Sequence, residues 1–232
     1  MTNPPLHIAL MAKAPVAGLA KTRLAPALGA EGAAALAAAL LRHAVAQASA
    51  AAPGRVTLWA APDTSHPVFA ELARQHGAAL RAQPAVPDLG ARMAAVFQGG
   101  LAEGANAPLL LMGSDIPALD AALLQQAGAA LRTHPAVFVP ALDGGYALVG
   151  LRADAEARHP GLHAALFQQM VWSTAQVMAQ TRARLAVLGV VAAELPAVSD
   201  IDEAADLAHL PAALVAALPA DLRALLGARA KH

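Results

Sequence analysis

Six short segments of the chain carry side chains able to do chemistry. The first is Lys13-Ala-Pro-Val-Ala-Gly18-Leu-Ala-Lys21-Thr22-Arg23, with three cations inside eleven residues. It follows His7–Ala12 (HIALMA), an apolar run that reads as a strand. Gly18 permits a tight turn with exposed backbone N–H groups, and Lys and Arg neutralise a di- or triphosphate. The loop is no Walker A motif, because two residues separate Gly18 from Lys21-Thr22, and it lacks G-x-G-x-x-G. A solvated basic loop would have the same composition. The second segment, Leu109-Leu-Leu-Met-Gly113-Ser114-Asp115-Ile116-Pro117, runs an apolar strand into a carboxylate. A hard oxygen ligand there suits Mg²⁺ or Mn²⁺ bridging nucleotide phosphates. The competing reading makes Asp115 a turn former before Pro117, but Asp120 already supplies the N-cap of the next helix, flanked by the Leu119/Leu124 staple.

The remaining four segments divide between binding and plain structure. Leu142-Asp143-Gly144-Gly145-Tyr146 lies between two apolar strands and reads first as a hairpin turn. Its glycines also allow a ligand close to the backbone, and Tyr146 is the only tyrosine. In Gln83-Pro84…Asp88-Leu89-Gly90-Ala91-Arg92, Asp88 caps a helix, Gln83 at a strand end can bond a base or sugar, and Arg92 can donate to phosphate. Trp172-Ser173-Thr174-Ala175-Gln176-Val177 reads as structural: a Ser173/Gln176 capping box with a Trp172/Val177 staple. In Ser199-Asp200-Ile201-Asp202-Glu203, alternation puts Asp200 and Asp202 on one side of an extended segment, as a second metal ligand requires. The competing reading is an N-cap. None of the nine histidines stands in an H-E-x-x-H motif, which argues against zinc catalysis of that kind.

The elements that must hold these segments alternate along the chain. Strands are expected at His7–Ala12, Arg55–Ala61, Ala79–Gln83, Pro108–Met112, Ala136–Pro140, Tyr146–Leu151 and Ala186–Val191. Helices are expected at Glu31–Ala50, Pro67–His76 (closed by Gly77), Leu89–Leu101, Ala121–Arg132 and Ser173–Leu185, with a helical tail over Glu203–Ala230 broken by Pro211 and Pro219. Strand–helix alternation with non-alternating apolar strands indicates an α/β fold with a mainly parallel sheet. In such sheets ligands bind beyond the carboxyl ends of the strands, where most of the six segments fall.

Composition narrows the class. The 232 residues carry 16 basic and 16 acidic side chains, a balance unlike the basic excess of a nucleic-acid binder. The 57% hydrophobic content is inflated by 66 alanines, and no stretch of ~18 residues is free of charge, Pro and Gln, so no membrane span is expected. MTNPPLHIAL lacks the pattern of a signal peptide, and the absence of cysteine excludes disulfides and thiolate chemistry. The expectation is a soluble, cytoplasmic, single domain spanning 1–232. Its nucleotide-binding half would cover about 6–117, its acceptor half about 118–202, and its tail 203–232.

Taken together and in order, AKAPVAGLAKTRLAPALGAEGAAAL, DLGARM, LLMGSDIP, PALDGGYALVGL, WSTAQV and SDIDEAADL resemble the signatures of one bacterial family. It is the glycosyltransferase-like family of the GT-A (nucleotide-diphospho-sugar transferase) fold, long filed as a domain of unknown function, with some members connected to arsenosugar biosynthesis. The resemblance runs from Ile8 to Leu207. More distantly the chain is similar to molybdopterin-cofactor nucleotidyltransferases and phospholactate guanylyltransferase. It implies a GT-A-like three-layer α/β sandwich with a Rossmann-like sheet, binding a nucleotide with Mg²⁺ or Mn²⁺. In that fold a basic loop wraps the phosphates, matching Lys13, Lys21 and Arg23 with Gly18 and Thr22. Asp115 and Asp202 match the metal carboxylates, with Asp200 the alternative to Asp202. Ser114 stands where a full Asp-x-Asp motif has its first acid, and Glu203-Ala204 stands where Thr-Pro is common.

The expected activity is therefore transfer from a nucleotide-activated donor to a small-molecule acceptor, with glycosyl transfer first. Lys21 and Arg23 would stabilise the diphosphate leaving group, Gln83, Arg92 and Ser114 would complete the nucleotide site, and Asp143 would take the acceptor proton beside Gly144, Gly145 and Tyr146. Nucleotidyl transfer with pyrophosphate release is the alternative. A degenerate nucleotide-binding module is a third reading, and a homo-oligomer is compatible with each.

Overall fold

The computed structural model describes residues 5–86, 88–103 and 107–229. Seven strands are found: β1 (His7–Lys13), β2 (Val56–Ala61), β3 (Ala79–Ala82), β4 (Leu109–Gly113), β5 (Ala136–Pro140), β6 (Tyr146–Leu151) and β7 (Ala193–Glu194). They form one sheet in the order β3-β2-β1-β4-β6-β5-β7. All pairings are parallel except those of β6, which runs antiparallel to both β4 and β5. The helices are α1 (Ala25–Ala51), α2 (Pro67–His76), α3 (Leu89–Glu103), α4 (Ala121–Ala130), α5 (Ala155–Arg158), α6 (Leu162–Phe167), α7 (Val177–Val187), α8 (Ala212–Ala216) and α9 (Ala220–Arg229), with 3₁₀ turns at Thr22–Leu24 and Asp206–His209.

The strands are apolar on both faces because helices cover both. Along β1, Ile8, Leu10 and Ala12 join the core shared with α1, α2 and α4, while Ala9 joins the core shared with α3, α6 and α7. The same alternation divides Leu110 and Met112 from Leu109 and Leu111 in β4. A third cluster packs the first half of α1 against the tail through Leu24, Leu36, Leu210, Leu214 and Leu222. The result is a three-layer α/β sandwich.

Helix ends follow local chemistry. Asp120 accepts from Leu123 N at 2.8 Å, His66 accepts from Val68 N at 3.3 Å, and Gly77 closes α2 in the left-handed region (φ 63). α1 carries a non-helical residue, Gly29 (φ 72, ψ 164), so its regular part starts close to Glu31.

Two expectations are corrected. α7 begins at Val177, not Ser173: Ser173 takes φ 61, which no helical residue adopts, and no side chain caps the helix start. The Ser173/Gln176 capping box is therefore not made. The strand expected over Ala186–Val191 is the last turn of α7 and a loop; nothing breaks the helix before Gly189, which takes φ 65 and ends it. One segment, Thr22–Ala51, is long and apolar enough to cross a membrane by length and composition alone, with a mean hydropathy of 1.6. Here its face with Leu36, Leu40, Leu41 and Val45 is wholly spent on the protein core.

Candidate active site

The chain passes from β3 back across the sheet to β4, so β1 has β2 on one side and β4 on the other. The chain leaves β1 towards β2 and β4 towards β5, in opposite directions along the sheet, and the carboxyl ends of the strands at such a reversal of strand order are where sheets of this kind place a ligand crevice. Because β6 is antiparallel, its amino end and the turn 141–145 reach the same edge of the sheet. The segment 198–202 arrives from the side: Val198 bridges Ala141, and Ile201 N donates to the Asp115 carbonyl at 3.0 Å.

Three charged groups meet in this crevice. Lys21 Nζ donates to Asp115 Oδ2 at 2.6 Å and to Asp202 Oδ1 at 2.7 Å. The Lys21 side chain is only 6% exposed, whereas the two carboxylates are 44% and 43% exposed. The ammonium thus lies inside and the carboxylates face the crevice. Burial pulls the Lys21 pKa down, but Asp115 and then Asp202 outweigh it and hold the ammonium above its ordinary value. Lys21 itself has left-handed backbone (φ 48, ψ 46), uncommon for a residue with a side chain and tolerated where the surroundings fix it. Ser114 Oγ donates to Asp115 Oδ1 at 2.9 Å, and Arg23 Nη1 stands 3.9 Å from Asp202 Oδ2. Asp206, which sequence reasoning passed over, accepts from Asp202 N at 2.9 Å and Glu203 N at 2.6 Å. It fixes the backbone that presents Asp202; the Asp-x-x-x-Asp spacing was its signal.

The other candidate residues spread outwards from this centre. Lys13, Gly18 and Thr22 are exposed on the β1 loop, and Arg23 is 68% exposed. Gln83 spends its amide inside the fold. Its Nε2 donates to the Ala12 and Trp59 carbonyls at 3.2 and 3.1 Å, and its Oε1 accepts from Arg92 Nη1 at 3.3 Å. Asp88 caps α3 through Ala91 N at 2.7 Å. Asp143 is exposed and accepts from Gly145 N at 2.9 Å. Gly144 has φ 91, and a Cβ there would lie 2.2 Å from the Ala175 carbonyl oxygen. Only glycine lets the turn lie so close to the segment before α7. Asp200 lies near Asp143: burial first, then the Asp143 and Asp202 charges, push its carboxyl up.

Tyr146 and Trp172 touch edge to face, with ring centroids 6.2 Å apart. The Tyr146 hydroxyl and the Trp172 indole nitrogen are both buried without a hydrogen-bond partner among the described residues. Burial pushes the Tyr146 phenol far up, so it stays protonated. Trp172 also lies against Gly90, where a Cβ would come within 2.8 Å of its ring. Its packing partners are Tyr146 and α3, not the Val177 staple inferred from sequence.

The fold with this crevice is that of the nucleotide-diphospho-sugar transferases. It is similar over 99% of this chain and 96% of the other to a protein from Desulfovibrio desulfuricans assigned to those transferases, at 24% identity and a TM-score of 0.76. It is also similar to a cytidylyltransferase from Leptospira borgpetersenii (10% identity, 99% and 95% covered, TM-score 0.55). A third similar structure is CMP:2-keto-3-deoxy-manno-octonic acid synthetase complexed with CTP (12% identity, 92% and 100% covered, TM-score 0.53). The chain belongs to the family described as an uncharacterized protein conserved in bacteria, DUF2064, whose model matches residues 41–174. No curated protein matches it.

Proposed function

We propose that the chain is a transferase acting on a nucleotide-activated donor, and that the reaction is glycosyl transfer from a nucleotide-sugar to a small-molecule acceptor. The observation that carries this reading is the convergence of Asp115 and Asp202 on one ammonium at the switch point. Supporting it, the fold is shared with a protein assigned to the nucleotide-diphospho-sugar transferases.

The donor set suits a divalent cation. Carboxylate oxygens are hard ligands, and Mg²⁺ or Mn²⁺ completes its shell with water and phosphate oxygens. No group of three or more His, Cys, Asp or Glu gathers around one point among the described residues. A cation held by Asp115 and Asp202 would therefore arrive with the diphosphate that supplies its other oxygens. When bound, it would neutralise charge on the departing diphosphate. Lys21, Arg23 and Lys13 would add cationic donors at that diphosphate, and the loop around Gly18 its backbone N–H groups. Asp143, exposed and oriented by the Gly145 N–H, would accept the acceptor hydroxyl proton. Gly144, Gly145 and Tyr146 would line the acceptor side.

Nucleotidyl transfer is the second reading, favoured by the likeness to a cytidylyltransferase and to a CTP-bound synthetase. An acceptor phosphate would then attack the nucleotide α-phosphate. Incubating the protein with nucleotide-sugars and with NTPs in Mg²⁺ or Mn²⁺ separates the two. Nucleoside diphosphate release from a sugar donor supports glycosyl transfer, and pyrophosphate release from an NTP supports the alternative. Nucleotide binding without either product would leave a binding module.

A further inference from the structure

Lys21 occupies the position that a cation between Asp115 and Asp202 would take. Its Nζ bonds the one oxygen of each carboxylate that faces the gap, Asp115 Oδ2 and Asp202 Oδ1. The other oxygens are turned elsewhere, Asp115 Oδ1 to Ser114 Oγ and Asp202 Oδ2 towards Arg23. A divalent ion bridging the two aspartates would need the oxygens that Lys21 already holds. An ammonium and a divalent cation on the same two oxygens would repel each other at contact distance.

We infer that Lys21 is the built-in counter-ion of this site and exchanges with the divalent cation: the metal takes its place between Asp115 and Asp202 as Lys21 transfers its ammonium to the incoming diphosphate. This inference rests on the transferase reading above and adds an order to it. The free protein holds no metal of its own, and metal and diphosphate bind as a unit. The side chain is suited to the move. Lysine carries a compact charge on a flexible stem, and the loop ahead of it turns at Gly18 (φ 79) with open space around the Cβ position. The two carboxylates stay solvated on their crevice side throughout, so neither is stranded while the ammonium shifts. By linkage, diphosphate must then tighten the metal by the same factor that the metal tightens diphosphate.

Equilibrium dialysis of Mn²⁺, alone and with inorganic pyrophosphate, tests this on wild type, Lys21→Met and Asp115→Asn, each first checked for a cooperative melt. Wild type is expected to bind Mn²⁺ alone at least ten times more weakly than with pyrophosphate. Lys21→Met is expected to bind Mn²⁺ alone at least ten times more tightly than wild type and to gain less from pyrophosphate; Asp115→Asn is expected to lose Mn²⁺ in both conditions. If Lys21→Met binds Mn²⁺ alone no better than wild type, while pyrophosphate still recruits Mn²⁺ to wild type, the exchange is overturned and the metal site stands. If pyrophosphate brings no Mn²⁺ to wild type, the metal site and the exchange fall together. A readout on wild type avoids dependence on any variant. The ¹⁵N-ammonium resonance of Lys21 should hold in Mg²⁺ alone and shift when Mg²⁺ and pyrophosphate are added together; an unmoved resonance at saturation overturns the exchange.

Discussion

Asp115→Asn perturbs the centre of the crevice with almost no change in size, so its consequences can be worked out contact by contact. Asp115 accepts from Lys21 Nζ at 2.6 Å and from Ser114 Oγ at 2.9 Å. An asparagine keeps one oxygen for Lys21 but turns an NH₂ towards Ser114, whose hydroxyl can rotate to accept. The net loss is the charge in one ion pair. A fully buried pair broken in this way would cost about 3–5 kcal/mol, but exposed pairs are worth about 0–1 kcal/mol. Here the carboxylate is 44% exposed and Asp202 still holds the ammonium, so the expected loss is about 1 kcal/mol. For a chain of this size that lowers Tm by about 2–4 °C. The effect on ligand binding should be much larger. Losing a charge-assisted contact to a cation costs about 1.5–3 kcal/mol, so Mn²⁺-dependent tightening of pyrophosphate should fall roughly 10- to 150-fold. Scanning fluorimetry and calorimetric titration with and without Mn²⁺ measure the two effects separately. A variant that loses about 3 kcal/mol or more would refute this account of a solvated, shared pair, and one with undiminished Mn²⁺ enhancement removes Asp115 from the metal site.

Three further outcomes test the surroundings of the site. Gly144→Ala should lower stability by about 3 kcal/mol, combining the left-handed backbone penalty with a Cβ 2.2 Å from the Ala175 carbonyl oxygen; an unchanged urea midpoint would show that the turn relaxes freely. Trp172→Phe should cost under about 1.5 kcal/mol, because the indole N–H it deletes makes no hydrogen bond, whereas Trp172→Ala should cost about 3 kcal/mol; equal losses in chemical denaturation would show that the N–H is bonded. His163 packs against the stacked rings of Phe97 and Phe167, and burial holds its pKa below the ordinary value despite the nearby Glu156. The unfolded chain therefore binds this proton more readily, so stability is full above about pH 6.5 and falls as pH drops through that value. The difference in Tm between pH 7.5 and 5.5 should shrink in His163→Phe, and an equal difference in both proteins would count against the histidine.

Much of the scaffold could be read from the chain because its signals are local. Apolar runs such as Pro108–Met112 need only a helix on each face, and Asp120, Asp88 and Gly77 mark helix ends through contacts within three or four residues. Errors arose where distant partners override local preference. The Val-rich run after Leu185 has strand propensity, yet with no breaker before Gly189 the helix runs on to Val187 and the rest of the run is loop. Ser173-Thr-Ala-Gln176 has the letters of a capping box, but the turn at Gly144 claims that backbone: Met178 N donates to the Gly144 carbonyl at 2.9 Å. The short helices α5 and α6 carry no periodic pattern and went unread. The site was legible as a set of residue types but not as an arrangement. Lys21 and Asp202 are 181 positions apart, so nothing near Lys21 signals that its ammonium is buried between two carboxylates. Sequence spacing suggested an exposed phosphate-binding loop; folding makes one of its cations the keystone of the crevice.

That arrangement also locates the step that decides what the protein transfers. Asp115, Asp202 and Lys21 together carry one net negative charge, which draws a divalent cation, while Arg23 and Lys13 stand exposed at the rim where they can meet phosphate oxygens. A diphosphate leaving a sugar and a pyrophosphate leaving a nucleotide present the same oxygens to this set of charges. The donor half of the crevice thus serves both reactions equally and cannot select between them. Selection must come from the other side, where Asp143 on its glycine turn lies near Asp200, Tyr146 and Trp172 bury unpaired polar atoms, and Asp200 holds its proton more tightly than an ordinary carboxyl. An acceptor hydroxyl needs a proton acceptor there, whereas an acceptor phosphate brings negative charge and would be repelled by those carboxylates. On the proposed transferase reading, an acidic lining at the acceptor side would favour a neutral hydroxyl acceptor, and with it glycosyl transfer, over attack by a phosphate. Charge reversal at the exposed member of the pair, Asp143→Lys, should accordingly abolish nucleoside diphosphate release from a sugar donor. If wild type releases pyrophosphate from an NTP and a phosphorylated acceptor as fast as this variant does, the acidic lining selects nothing, and the preference for a hydroxyl acceptor is refuted.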